Sequence, residues 1–314
     1  MTQASVVLRV NEAHYSYGKV KAVDGVSFEV RAGEVFGLLG PNGAGKTTTL
    51  ALISGLLPPA SGQILLFGEE TSGRAGRVRS RMGVVPQDIA LYEELTVAEN
   101  VAFWARLYGM RGEALKKAAA SVLEQVGLSD RAKDRVSKLS GGLKRRLNLA
   151  VGLTHTPDLL LLDEPTVGID PQARLRILDV VQAQARAGRA VLYTSHYLEE
   201  AEQICDRLAI IDHGRVLAVG TVPELRRLVG EGPTVLVRGE VVADRLREIA
   251  GRSPGVSLLN AADGTATFSA RDAAACSSLV RDLFQSGGRF EDLRIQEPNL
   301  QALFLKLTGR ELRD

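Results

Sequence analysis

A chain that runs Val35-Phe36-Gly37-Leu38-Leu39, then Gly40-Pro41-Asn42-Gly43-Ala44-Gly45-Lys46-Thr47-Thr48, then Thr49-Leu50-Ala51-Leu52-Ile53 has few folds open to it. The apolar run reads as a strand, the glycine-rich stretch as a tight loop and the remainder as a helix, which is the context a phosphate-binding loop requires. Gly40, Gly43 and Gly45 let the backbone turn sharply and approach a polyphosphate with no Cβ in the way. The N–H groups of the loop, from Asn42 and Ala44 through Thr48, and of the helix N-terminus then face the anion, while Pro41, which has no N–H, shapes the turn. In such a loop Lys46 reaches the β- and γ-phosphates as a point charge, and Thr47 offers its hydroxyl to Mg2+. A chance glycine-rich turn lacks the full spacing and the flanking strand and helix. The stretch is a nucleotide site in an α/β fold.

Composition excludes several alternatives. With 314 residues there is room for one large domain and a small one. A net charge of +2 is too near neutral to argue for nucleic acid by bulk electrostatics. Arg74, Arg77, Arg79 and Arg81 form a local basic run, but no aromatic residues are interleaved, and a solvated basic face accounts for them. Cys205 and Cys276 have no metal spacing and read as buried free thiols of a reducing compartment. No segment approaches the ~20 apolar residues of a membrane helix, and no signal peptide is evident at the start. The expected location is the cytoplasm, with any membrane link made through a partner.

Taken in order, 6–10 and 26–30 read as strands bracketing a turn at Tyr17-Gly18-Lys19. Tyr17 is either a packing tyrosine or a ring that stacks on a flat base. A strand over 63–67 is followed by a polar connection over 68–80, then by a strand within Met82–Gln87 that the proline at 86 ends. Gln87 sits at its carboxyl end, where an amide can bond a metal-bound water and an attacking water; on its own a glutamine there is a loop residue. From Thr96 to Ala120 the periodicity is helical, with Gly109 as a stop, and a second helix runs from Glu113 to about Val126. Phe103, Trp104 and Tyr108 read as packing residues. This block interrupts the strand–helix alternation as a helical insertion, spanning about residues 90–155.

Three further clusters carry chemistry. Ser140 stands at a helix N-cap position, with Gly141 and Gly142 exposing the first N–H groups, which makes a second anion cradle. Leu159-Leu160-Leu161-Leu162 fits a strand buried on both faces, and it delivers Asp163 and Glu164 at its carboxyl end, where ligands of open α/β sheets bind. Asp163 suits Mg2+, and Glu164 suits orienting or deprotonating the attacking water. Thr166 to Pro171 makes a turn before a helix to about Ala187. A strand over 189–195 ends at His196, beside the expected phosphate site. One phosphate chain does not need two cradles; two copies facing each other would use both.

Together these segments, over about residues 5–220, resemble the nucleotide-binding subunit of an ABC transporter. The resemblance rests on the Walker A loop at Gly40–Thr48, the Gln87 loop, the signature Leu139-Ser140-Gly141-Gly142, and the Walker B end at Asp163 with Glu164. The Asp170 turn, the switch His196 and an adenine-stacking Tyr17 complete it. Leu143 stands where a glutamine is frequent, and Val167-Gly168-Ile169 replaces Ser-Ala-Leu; neither removes a catalytic group. The resemblance implies an ATPase with catalytic Glu164, His196, Lys46 and Gln87. It implies Mg2+ at Thr47, Gln87 and Asp163, and ATP held by Tyr17, the loop and Asp170, with Ser140–Gly142 reaching the ATP of a second copy. It further implies an ATP-sandwich homodimer, an integral-membrane permease partner, no nucleic-acid partner, and residence on the cytoplasmic face of the membrane. A soluble ATPase of this type acting on nucleic acid or ribosomes is the alternative, though it usually carries long coiled-coil insertions, zinc hooks or tandem cassettes. A nucleotide-gated binding module without ATPase activity is another.

The first domain is expected to close at residue 222, and beyond Gly232-Pro233 the pattern restarts as strand 234–238, helix 241–250, strands 255–260 and 264–270, helix 272–286 and strand 290–296. That β-α-β-β-α-β order points to a small ferredoxin-like domain over 223–314. Leu300, Leu303, Phe304 and Leu307 form a helical stripe that either docks on its own domain or meets a partner. The ending from Leu300 to Gly309, and Thr166–Gln172, resemble drug-resistance-type export ATPases.

Overall fold

The computed structural model describes residues 5–70, 78–230, 232–239, 243–262 and 264–308. Arg74, Arg77, Gly309 and the first residues of the helix expected over 241–250 lie outside that set. The chain divides into two compact units, Met1–Val216 and Leu217–Asp314, against an expected junction after residue 222.

In the first unit β1 (Val6–Tyr17) and β2 (Val20–Arg31) form one long antiparallel hairpin. Its buried residues, among them Leu8, Val10, Val26, Phe28 and Val30, face one side as period-2 alternation requires. β4 (Ser61–Leu66) adds to β1, and the two-residue β5 (Glu69–Glu70) ends this sheet. The second sheet is built on β3 (Val35–Leu39), β6 (Met82–Val85), β7 (Leu159–Asp163), β8 (Ala190–Ser195) and β9 (Arg207–Asp212). These five are parallel in the order β9-β3-β8-β7-β6, and β10 (Arg215–Thr221), within which the first unit ends, follows β9 at the edge. Every residue of β3, β7 and β8 is buried, as parallel strands covered on both faces must be. Phe28 stacks on Phe36 with ring centroids 5.2 Å apart, joining the two sheets in one core.

Helix α1 (Lys46–Ser54) leaves the carboxyl end of β3 through the glycine loop. The helical block follows β6: α2 (Val97–Leu107), α3 (Gly112–Gln125) and α4 (Gly141–Leu153). Helix α2 starts in a full capping box between Thr96 and Glu99. Phe103 packs edge-on to Tyr92 and Trp104, and Tyr108 stacks flat on His155, so these aromatics pack as the sequence suggested. Helix α5 (Pro171–Arg186) begins at Asp170, whose carboxylate accepts from Ala173 N–H at 2.9 Å, and α6 (Leu198–Ile204) follows β8. Arg79 donates to Gly55 O, and Arg81 pairs with Asp158 at 2.6 Å while covering the Phe67 ring. Both described members of the basic run therefore have structural partners.

The second unit holds α7 (Val222–Arg227), then β11 (Thr234–Gly239), α8 (Ala243–Arg252), β12 (Val256–Ala262), β13 (Thr265–Ala270), α9 (Ala273–Gln285), β14 (Phe290–Gln296) and α10 (Leu300–Thr308). Its antiparallel sheet has the order β12-β13-β11-β14, the arrangement expected of a ferredoxin-like domain. Val235, Val237, Phe268, Leu279 and Leu283 are at the centre of its core. Leu300, Leu303 and Phe304 are buried within this unit and Leu307 is 40% exposed, so most of the terminal stripe docks at home.

Candidate nucleotide site

Parallel strands place their carboxyl ends along one edge, and β3, β6, β7 and β8 each deliver part of the site there. From β3 comes the glycine loop. Gly45 is the N-cap of α1 at φ 103°, and a Cβ there would sit 2.3 Å from Ala22 O, so only glycine closes this turn. At Gly43 (φ 80°) a Cβ would meet nothing within 4 Å; it would stand in the open cradle itself. A cavity of about 480 Å3 is lined by Tyr17, Ala22, Asn42, Gly43, Gly45, Lys46, Thr47, Thr48, Gln87 and Glu164, a size suited to a small-molecule cofactor. Tyr17 is 53% exposed on the hairpin and packs edge-on to Tyr15, which leaves ring surface open to a flat ligand.

Buried Lys46 and Glu164 line this cavity, and a run of buried contacts leads from them to His196, Thr194 and Asp163, which stand behind its lining. The Lys46 ammonium donates to Gly40 O at 2.8 Å and Pro41 O at 3.1 Å, and stands 3.0 Å from Glu164 Oε1. Glu164 Oε2 lies 3.0 Å from His196 Nδ1. Glu164 itself has φ 45°, a left-handed conformation costly for a non-glycine residue, and its N–H donates to Thr194 Oγ1 at 3.0 Å. Thr194 Oγ1 donates to Asp163 Oδ1 at 2.8 Å, and the Thr47 hydroxyl also bonds Asp163. Burial pushes the Asp163 carboxyl above its ordinary range, while the bonds from Thr194 and Thr47 and the Lys46 charge pull it back.

The donor set of Thr47, Asp163 and Gln87 fits Mg2+, which takes one or two carboxylates together with substrate phosphates and water rather than a protein cage. Among the described residues no cluster of three His, Cys, Asp or Glu forms, so a metal cage of that kind is not built there. A cation beside Asp163 would offset the cost of burying its charge.

Ser140, Gly142 and Asp170 do not join this cavity. They line a second pocket of about 420 Å3 with Leu143, Arg146, Gln172, Ala173 and Arg176. Ser140 caps α4 by accepting from Leu143 N–H, as expected, and Gly141 is exposed with open space where a Cβ would stand. Gly142 packs so closely on α5 that a Cβ would sit 2.8 Å from Ala173 Cβ.

Sequence reasoning missed Arg145 and Asn148, which tie α4 to the Gln87 segment. Buried Arg145 donates to the carbonyls of Gln87 and Val167. Asn148 donates to Pro86 O at 3.3 Å and accepts from Ala90 N–H at 3.1 Å. Burial lowers the Arg145 pKa, with Asp88 and Glu164 opposing the shift. The available signal was two polar residues at i, i+3 on the otherwise apolar inner face of α4. Thr194 was hidden inside an apolar strand, and no local pattern marks it.

Residues 23–167 match the ABC transporter family model. A linearmycin resistance ATP-binding protein of Bacillus subtilis is 44% identical over 313 residues, covering 98% of this chain and 100% of the relative. Nod factor export ATP-binding protein I of Ralstonia nicotianae is 38% identical over 317 residues, covering 98% of this chain and 95% of the relative. A solved ATP-binding subunit of an ABC transporter superposes with a TM-score of 0.65 at 32% identity, covering 71% of this chain and 92% of that one. The fold and site define a P-loop nucleotide-binding cassette, and the chain belongs to the ATP-binding subunits of ABC transporters. It is an ATPase subunit that couples nucleotide hydrolysis to transport through membrane components. The relatives do not support the soluble alternative.

Proposed function

We propose that two copies of this chain clasp two ATP molecules head to tail and drive export through a separate membrane permease. In each site one copy supplies the glycine loop and Lys46 for the phosphates and Tyr17 for the adenine. Thr47 and Asp163, with Gln87 acting through water, would hold Mg2+, which neutralises phosphate charge. Glu164 orients or deprotonates the attacking water, and His196 contacts the γ-phosphate. The second copy supplies Ser140–Gly142, with Asp170 beside them. The observation that carries this reading is that Lys46 and Ser140 line separate pockets of one chain. Binding energy from the second cradle is then available only to the closed pair, so ATP can bias closure.

Exposed Ile89, Tyr92, Leu107 and Tyr108, in the segment after Gln87 and at the end of α2, offer apolar surface for a permease helix. That contact would hold the chain on the cytoplasmic face, and no described helix is long and apolar enough to cross the membrane itself. Export as the direction is carried over from the names of the two relatives, one of linearmycin resistance and one of Nod factor export.

Complementation tests the sandwich. Lys46→Ala removes the phosphate cation, and Gly141→Asp puts a carboxylate into the open space at the second cradle without an internal clash. Each variant alone is expected to be inactive, and a mixture should regain turnover, because the mixed dimer keeps one site with both parts intact. A mixture that stays as inactive as its components would show that the signature does not act in trans.

A further inference from the structure

We propose that Glu200 is a positioning residue for hydrolysis: a buried carboxylate that holds the turn carrying Glu164 in register with the strand end carrying His196. It lies on α6 and is 3% exposed. Its Oε2 accepts from Thr166 Oγ1 at 2.7 Å and from Tyr193 OH at 2.7 Å, with Ser195 Oγ at 3.5 Å. Thr166 belongs to the turn immediately after Glu164, and Ser195 immediately precedes His196. Ser195 Oγ also accepts from Tyr197 N–H at 2.9 Å, which closes the backbone around His196. One carboxylate therefore grips both segments from behind. Charge-assisted bonds in a buried site are about twice as strong as neutral ones.

A second route leads to the same histidine. Glu200 Oε1 faces Arg174 Nε at 3.1 Å, an ion pair rather than an aligned hydrogen bond. The Arg174 guanidinium lies over the Tyr197 ring, and that ring packs on His196 with centroids 4.1 Å apart. Arg174 rides on α5, whose N-cap Asp170 lines the second pocket.

Glu164 has φ 45°, and such a conformation persists only where the surroundings over-determine it. On the near side it is held through Thr194, and beyond it the turn is held through Thr166 and Glu200. Loosening the far side would let the 3.0 Å contact between Glu164 and His196 drift. None of Thr166, Arg174, Tyr193, Ser195 or Glu200 lines the nucleotide cavity. Loss of Glu200 should therefore slow the chemical step and leave ATP affinity alone.

This rests on the roles assigned above to Glu164 and His196, so Glu164→Gln is measured in parallel. The full chain carrying Glu200→Gln, Thr166→Val or both is assayed for kcat and KM, and for binding of a non-hydrolysable ATP analogue. Thermal melts accompany each variant. Glu200→Gln should lower kcat by about ten- to a hundredfold, the scale of a misplaced catalytic group, with analogue affinity within about twofold. Thr166→Val should lower kcat in the same direction, and the double variant should fall short of the combined effect, because both act through one contact. If Glu200→Gln does not fold, the isosteric Thr166→Val decides. The proposal is overturned if folded variants keep kcat within about twofold of the parent, or if kcat and affinity fall together in step with Tm. Turnover surviving in Glu164→Gln would remove the underlying assignment instead, which is a separate result.

Discussion

Replacing Glu164 by glutamine changes almost no volume and removes one negative charge from between two partners, Lys46 at 3.0 Å and His196 at 3.0 Å. Two consequences follow, with opposite signs for binding and for chemistry. The amide cannot take a proton from water, and loss of a general base typically costs about 10²–10⁴ in rate, or about 2.7–5.4 kcal/mol of barrier. Binding moves the other way. In the parent the carboxylate partly neutralises the Lys46 ammonium, and at an effective dielectric near 20 a pair at this range interacts by at most about 5.5 kcal/mol. Without it the ammonium offers its full charge to the phosphates, so ATP affinity should hold or rise. Single-turnover hydrolysis, equilibrium binding of ATP and gel filtration with ATP and Mg2+ read the three quantities. The expected result is turnover down by at least about a hundredfold, affinity equal or tighter, and a stable dimer in ATP. Turnover within about tenfold of the parent would remove Glu164 from the water, and weaker ATP binding would refute the electrostatic argument.

Gly45→Ala should reduce nucleotide binding by about tenfold or more, because its Cβ overlaps Ala22 O at 2.3 Å and φ 103° strains any other residue by about 1–3 kcal/mol. Titration with a fluorescent ATP analogue checks it, and unchanged affinity would mean the loop can re-form. Asn100, fully buried, bonds Tyr92 N–H and the carbonyls of Tyr92 and Thr96. Asn100→Ala should cost about 1–3 kcal/mol for each group left unpaired and weaken capture of the permease, measured by denaturant unfolding and by pull-down from membranes. His155 is pushed below its ordinary 6.5 by burial, against one bond from Nε2 to Met82 O, and its Nδ1 has no partner. The unfolded chain therefore binds that proton more readily than the folded one. The stability from a neutral His155 is present above pH 6.5 and is lost as pH falls through the lower folded value. Melting from about pH 8 to about pH 5 should show a loss that His155→Gln reduces; equal pH dependence in both would refute it.

What could be read from the sequence was local. Gly40–Thr48, the Ser140 cap and the acidic end of the Leu159–Asp163 strand announce themselves because strand, turn and cap chemistry lie within a few residues of each other. The reading stopped short wherever pairing comes from far along the chain. Strands expected over 6–10 and 26–30 extend to Tyr17 and back to Val20, since polar Asn11–Ser16 is held by cross-strand partners rather than by its own propensity. The strand at Met82–Val85 does stop where the proline was expected to stop it, because Pro86 has no N–H to donate, but the bond from Asn148 to its carbonyl was not foreseen. The left-handed turn at Glu164 and the grip of Arg145, Thr194 and Glu200 depend on residues distant in sequence, which no period or motif encodes.

The second pocket has an electrostatic logic that the signature motif alone does not express. Helices α4 and α5 bring their N-termini to it, at Ser140 and Asp170, and Gly142 allows that approach because no side chain separates it from Ala173. The first N–H groups of α4, at Gly141 and Gly142, and that of Gln172 on α5, where Pro171 has none and Ala173 is capped, thus converge with two helix dipoles where one was expected. Arg146 and Arg176 border the same space, and burial lowers the Arg146 pKa, with Arg176 adding to the shift. The Asp170 carboxylate opposes that shift; a polyphosphate arriving from a second copy would meet both guanidinium groups, whereas this chain's own phosphate loop lines a different cavity. In the proposed dimer, an anion from the second copy would answer a demand at this pocket that one chain cannot meet from its own nucleotide site.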